Sequence, residues 1–218
     1  MADTPFIKYG LQEDAKRLYF SEPKAARKIP RTVRSGYGIL EHGLVMAVNT
    51  SAGTAGKLIP YNQTTVTGAE ISPGRAYLVA DSGTTNKLLD VTIEDSYKFK
   101  VGDDLMLVDD TTSGENLGAI TAIDRTTVKH KATISVTADI GGTPFTVAHF
   151  AFVYIEGADA AIGILEKSVD TLTGEDGKDA NTVLILGNAV LYKGVVNTDA
   201  AALTDLGASE ISQYLNIP

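Results

Sequence analysis

Three histidines, a glycine-rich turn, an acidic loop and two aspartate pairs are the residues whose types and spacing could do chemistry in this chain. His42, His130 and His149 lie 88 and 19 residues apart, so none forms the His-x-x-x-His pair that sets two imidazoles on one helix face. A metal site would need them to converge in space with a carboxylate. Scattered histidines default to packing or exposure, and His149 beside Phe150 is expected half-buried in a strand. The run from Gly53 through Gly56 and Lys57 has the look of a phosphate loop. It has two residues between its glycines instead of four, and Leu58 stands where a hydroxyl must reach magnesium. A hairpin turn is the better reading.

The loop from Asp170 to Asp179 is rich enough in oxygen donors to suggest calcium, but they do not recur at alternate positions and Lys178 adds a positive charge. It is expected to be a solvated connection. Ser21 and Lys24 match Ser-x-x-Lys only nominally, because Pro23 and the surrounding charges argue for exposure, and Gly-x-Ser-x-Gly is absent. The pairs Asp103-Asp104 and Asp109-Asp110 flank an apolar run like strand ends. General acid–base work would require burial or a partner to tune a carboxyl group. The expectation is a chain with no catalytic residue, no metal and no cofactor.

The elements that would position these groups are mostly short strands. Gly38 to Leu40, Leu44 to Val48, Lys57 to Tyr61 and Ala76 to Ala80 are apolar runs separated by turn residues. From 97 to 156 the pattern is most regular: Phe99, Val101, Leu105, Leu107, Ala119 to Ile123 and Ala132 to Thr137 alternate apolar with polar, as a half-buried strand requires. This stretch has the size of a small β-barrel, inserted between the strands before Ser96 and those starting at Ala161. Near the C-terminus Asn197 or Thr198 can cap a helix ending at Gly207, and Ser209 can cap a second.

The chain has 218 residues, 44% of them hydrophobic, with 21 glycines, no tryptophan and no cysteine. A core of Val, Ile, Leu and Ala with many tight turns favours β structure, and disulfides and thiolate chemistry are excluded. No leader-like N-terminus or long apolar span is present, so the chain is expected to be soluble and made in the cytoplasm. The net charge of −8 is unevenly spread. Residues 1–34 carry eight basic groups against four acidic ones, and the remainder 11 against 23. An acidic body disfavours nucleic acid, whereas a basic arm suits an acidic protein surface. Residues 1–36, with Pro5, Pro23, Pro30 and one possible helical turn from Glu13 to Phe20, are expected to be such an arm: a disordered tail, or an extension that orders on a partner.

The segment "AAIGIL…VDT…NTVLILGNAVLYKG", from Ala160 to Gly194, resembles the core of the lambdoid phage head decoration proteins, which have a similar Ala-Ala-x-Gly-Ile-Leu run, polar loop and hydrophobic strand. The likeness covers roughly Ile162 to Val196. It implies a structural virion protein, a homotrimer that binds the major capsid protein on the outer surface of the expanded shell, with neither nucleic acid nor membrane as partner. The expected architecture is mainly β: an arm (1–36), a decoration-like β core with C-terminal helices (37–96 and 157–218), and a β-barrel-like subdomain (97–156). In the arm, Phe6, Tyr9, Leu18, Tyr19 and Phe20 would make apolar contacts, and Lys16, Arg17, Lys24, Arg27, Lys28, Arg31 and Arg34 would meet acidic capsid groups. Twice the length of the small decoration proteins, the chain also leaves open a β-rich tail or baseplate component, or a host-surface module using Tyr97, Phe152 and Tyr154 in a glycan- or protein-binding groove.

Overall fold

The computed structural model describes residues 26–51, 55–62, 72–83, 86–110, 114–141, 144–187, 191, 196 and 198–208. In chain order the first elements are β1 (Arg27–Val33), β2 (Ile39–Leu40), β3 (Val45–Val48), β4 (Leu58–Pro60), β5 (Ala76–Tyr77), β6 (Leu88–Val91) and a one-turn helix α1 (Ile93–Ser96). There follow β7 (Asp104–Val108), β8 (Glu115–Asp124), β9 (Ala132–Val136), β10 (Phe152–Ile155), β11 (Ala161–Leu165), β12 (Val169–Asp170), β13 (Ala180–Gly187) and α2 (Ala200–Ala208). The fold is mainly β, as composition and alternation imply.

The strands form two larger sheets. One is a closed barrel in the order β1-β13-β11-β3-β4, drawn from both ends of the described chain. β3 and β4 are an antiparallel hairpin around the glycine-rich turn, with Val48 opposite Leu58. The motif strands β11 and β13 pair at Ile164 with Ile185 and Leu165 with Leu184. β1 lies antiparallel to β13 over its whole length but meets β4 at Val33 and Leu58 alone.

The second is a six-stranded sheet, β5-β10-β7-β8-β9-β6, inserted between β4 and β11. It curls until its edge strands meet: Leu78 and Val91 form a single bridge, and Val79 N–H donates to Asp90 O at 2.9 Å. The barrel-like unit thus takes in two strands that precede residue 97. Buried residues alternate strictly with half-buried ones along β7 and β9, the pattern the sequence shows. All four residues of β10 are buried, so both of its faces are covered, Phe152 by the guanidinium of Arg75. One continuous apolar core joins the two sheets, from Val33, Leu58 and Ile164 to Leu105, Ile134 and Val153.

Three local expectations are corrected. The arm drawn to residue 36 does not take in 27–33, which is a barrel strand, and residues 1–25 lie outside the described residues. His149 lies in a 3-10 turn (Val147–His149) and not in a strand. At the start of α2, which runs past Gly207 to Ala208, Asp199 and not Thr198 supplies the side chain that accepts from Ala202 N–H at 2.7 Å, and Asn197 lies outside the described residues. The expected helices at Glu13 and Ser209 lie outside the described residues.

Within the motif, Gly163 has a steric reason. A Cβ there would stand 2.7 Å from Leu184 Cγ and 2.8 Å from Ile185 O, side chain and backbone of the paired strand β13. Overpacking of this kind costs about 1–3 kcal/mol. Gly163→Ala is therefore expected to lose that much stability in urea unfolding, at unchanged m-value. Gly56→Ala, whose Cβ would meet nothing within 4 Å, should show only the smaller cost of its positive φ.

Candidate functional site

Of the basic residues assigned to the arm, Lys16, Arg17 and Lys24 lie outside the described residues, as do Phe6, Tyr9, Leu18, Tyr19 and Phe20. The other four are built into or beside β1, and the barrel sorts them into two groups. Arg27, Lys28 and Arg31 are exposed, while Val33 and Arg34 are buried. Lys28 pairs with Glu166. Among the described residues Arg27 and Arg31 have no acidic partner, and among the described strands 27–32 is paired only on its β13 side. Together they make a basic strand edge, with Pro30 in it. A missing N–H and like charges are what an edge strand tolerates.

Arg34 is a correction. It is 0% exposed and forms a two-pronged ion pair with Asp103, Nη1 to Oδ1 at 2.9 Å and Nη2 to Oδ2 at 2.5 Å. Such an arginine cannot reach a partner's surface. Its own N–H donates to Leu58 O at 3.0 Å, so the same residue finishes the β1–β4 contact and crosses to the inserted sheet. Asp103 also accepts Lys100 N–H at 2.6 Å and Asn49 Nδ2 at 3.4 Å. These donors on one carboxylate offset much of the cost of burying it. The phenol of neighbouring Tyr37 is raised well above its ordinary value by burial, with Arg34 drawing it down and Asp103 pushing it up.

Backbone contact tightens the same seam. Gly36 has φ +100°, and a Cβ on it would lie 2.2 Å from Tyr97 O. Ser35 N–H donates to Asp179 Oδ1 at 3.0 Å, and Lys57 Nζ reaches Asp179 Oδ2 at 2.6 Å. Burial raises the Asp179 carboxyl, but the Lys57 and Ser35 hydrogen bonds and the charges of Lys57 and Lys100 outweigh it and leave the pKa below the ordinary value.

The aromatics expected to line a surface groove are not available for one. Phe152 and Tyr154 are buried, and Arg75 stacks on Phe152 with its guanidinium carbon 4.1 Å from the ring centroid. Tyr97 is half-buried beneath Arg125, 4.4 Å from its centroid. Among the described residues the exposed aromatic is Phe150, 69% accessible at a left-handed φ of 52°. His149 pairs with Asp110 at 3.0 Å, and His42 Nδ1 lies 3.4 Å from Ser168 Oγ; the histidines do not converge. Among the described residues no cluster of three metal-ligating side chains occurs, and no helix is long and apolar enough to cross a membrane. The sequence marks Asp103 only as a strand end. The turn Val101-Gly102 before it is a local signal, but nothing local names a partner 69 residues away.

No protein-family model, no curated protein and no solved structure matches this chain.

Breaking a buried ion pair from one side leaves a charge without compensation, at about 3–5 kcal/mol. Asp103→Asn and Arg34→Met should each show that loss in urea unfolding, and the Arg34→Met/Asp103→Leu double variant should lose much less than the sum. A second expectation concerns pH. Because the folded pKa of Asp179 lies below its unfolded value of about 3.9, its stabilisation is complete above that pH and is lost as pH falls through the folded value. The melting temperature of Asp179→Asn should therefore fall less steeply than wild type on acidification below about pH 4.

Proposed function

We propose that this protein decorates the outside of an expanded phage capsid, attached to the major capsid protein as a homotrimer and reinforcing the shell against internal DNA pressure. The observation that carries the reading is the basic edge of β1. Residues 1–25 carry four basic and four acidic groups, so the positive balance of the first 34 residues comes from Arg27, Lys28, Arg31 and Arg34. With Lys28 and Arg34 paired, the excess charge on the surface belongs to Arg27 and Arg31, on a body that is otherwise acidic. They stand at the start of the first barrel strand, and on this reading they would meet an acidic capsid surface. The likeness of β11 and β13 to decoration-protein strands supports the same reading.

The energetics suit such attachment. A ligand that binds the assembled shell better than its parts stabilises the shell by mass action. Three weak arms on one trimer bind far more tightly than one, because the second and third contacts are intramolecular. Charge contributes most at low ionic strength.

A tail, baseplate or host-surface role is the second reading, favoured by exposed Phe150 with Val147, 43% accessible, in the same 3-10 turn. Aromatic side chains are common anchors of protein interfaces.

The test is cosedimentation with expanded and unexpanded DNA-free heads of the phage that encodes the chain. A truncation should begin at Ala26 and not at Ser35, since removing β1 would open the barrel. Saturable binding to expanded heads that is lost on truncation, and weakened in Arg27→Glu/Arg31→Glu, is the expected result. Binding to neither head form overturns the proposal, and retention on tails that is lost in Phe150→Ser selects the second reading.

A further inference from the structure

Beside the Arg34–Asp103 pair, the barrel and the inserted sheet enclose a cleft of about 460 Å³. Its size falls within the range of small-molecule sites. Loop residues Ser35, Gly36 and Glu175 line it from the barrel side, and Tyr97, Lys100 and Arg125 from the sheet side, with Val101 and Ile123 adding apolar wall.

Two cations in this lining have unused donors. Arg125 is fixed: Nε donates to Ser96 Oγ at 2.7 Å, Nη2 donates to Ser96 O at 2.9 Å, and the guanidinium lies over Tyr97. Its Nη1 has no acceptor among the described residues. The backbone of Lys100 is tied to Asp103, yet its half-buried ammonium makes no ion pair within 4 Å among the described residues. Burial and the charges of Arg34 and Lys57 hold its pKa down, against the opposing pull of Asp179 and Asp103. Those two carboxylates are already engaged by Lys57 and Arg34, and an anion arriving beside a partly buried cation gains a charge-assisted hydrogen bond. Glu175 is the one carboxylate in the lining; it is exposed, and its charge acts on Arg125.

We propose that this cleft binds a small organic monocarboxylate, its carboxylate held by Lys100 and Arg125 and its apolar body against Tyr97, Val101 and Ile123. Two cations and one anion give the lining a formal charge of +1, which a monocarboxylate neutralises. Inorganic phosphate would bring up to two negative charges toward Glu175 and leave the apolar wall uncovered. The site is independent of capsid attachment, since neither Arg27 nor Arg31 contributes to it.

The full chain titrated with 4-fluorophenylacetate, observed by fluorine NMR, tests the assignment. Saturable binding is expected, with phosphate a poor competitor. Lys100→Gln should weaken it about tenfold, the loss of one charge-assisted hydrogen bond, and Glu175→Gln should tighten it. Arg125→Gln should also weaken binding but disturbs Ser96, so the deciding variants are Lys100→Gln and Glu175→Gln, which leave that contact in place. Absence of saturation, unchanged affinity in Lys100→Gln, or displacement of the probe by equimolar phosphate would overturn the proposal.

Discussion

The buried pair between Arg34 and Asp103 is the constraint on which the rest of this structure depends. Desolvating two opposite charges is unfavourable unless geometry and further donors compensate. Here the guanidinium fork meets both carboxylate oxygens, and Lys100 N–H and Asn49 supply two more hydrogen bonds. The pair joins residues on different sheets, one directly after the first barrel strand and the other directly before the first long strand of the insertion. The close approach of Gly36 to Tyr97 O, the Ser35–Asp179–Lys57 chain and the cleft all gather around the same seam. Relative placement of the two sheets, and hence the shape of the space between them, follows from how that pair is seated.

Much of the fold is legible in the sequence because its strands are half-buried and obey a period of two. β7 and β9 announce themselves through Leu105, Leu107, Ala132, Ile134 and Val136, and Ala161 to Leu165 through an unbroken apolar run. β1 is not legible. Its seven residues include three basic ones and a proline, and only Val33 is fully buried, so composition alone describes a solvated arm. What makes it a strand is β13, near the other end of the described chain, which pairs with every residue of it. No local pattern encodes a partner so distant. The same reason hides the role of Asp103, whose neighbours look like a strand end and whose counter-ion is far away in sequence.

Aromatic residues mislead for a different reason. Alternation tells which residues share a face but not whether a second layer covers that face. Phe152 and Tyr154, two of the three aromatics expected to line a groove, stack with Tyr77, and Arg75 closes over Phe152, so they are packing. Phe150, by contrast, sits in a turn whose left-handed backbone directs it outward. The site residues that remain, Lys100 and Arg125, are invisible as a pair in the sequence because each is an ordinary surface-type residue until the fold brings both to one cleft with a donor to spare.

The antiparallel ribbon of β1 and β13 has a mechanical meaning. Ladder hydrogen bonds run perpendicular to the strands, so tension entering along β1 from its N-terminal end loads the rungs between Lys28 and Val33 side by side instead of opening them one at a time. Behind the last rung, the Arg34 side chain acts as a peg driven through the barrel wall into the neighbouring sheet. A molecule pulled by its leading segment would transmit that force into both sheets at once, bearing load as a single body and not as a thread unravelling from a sphere.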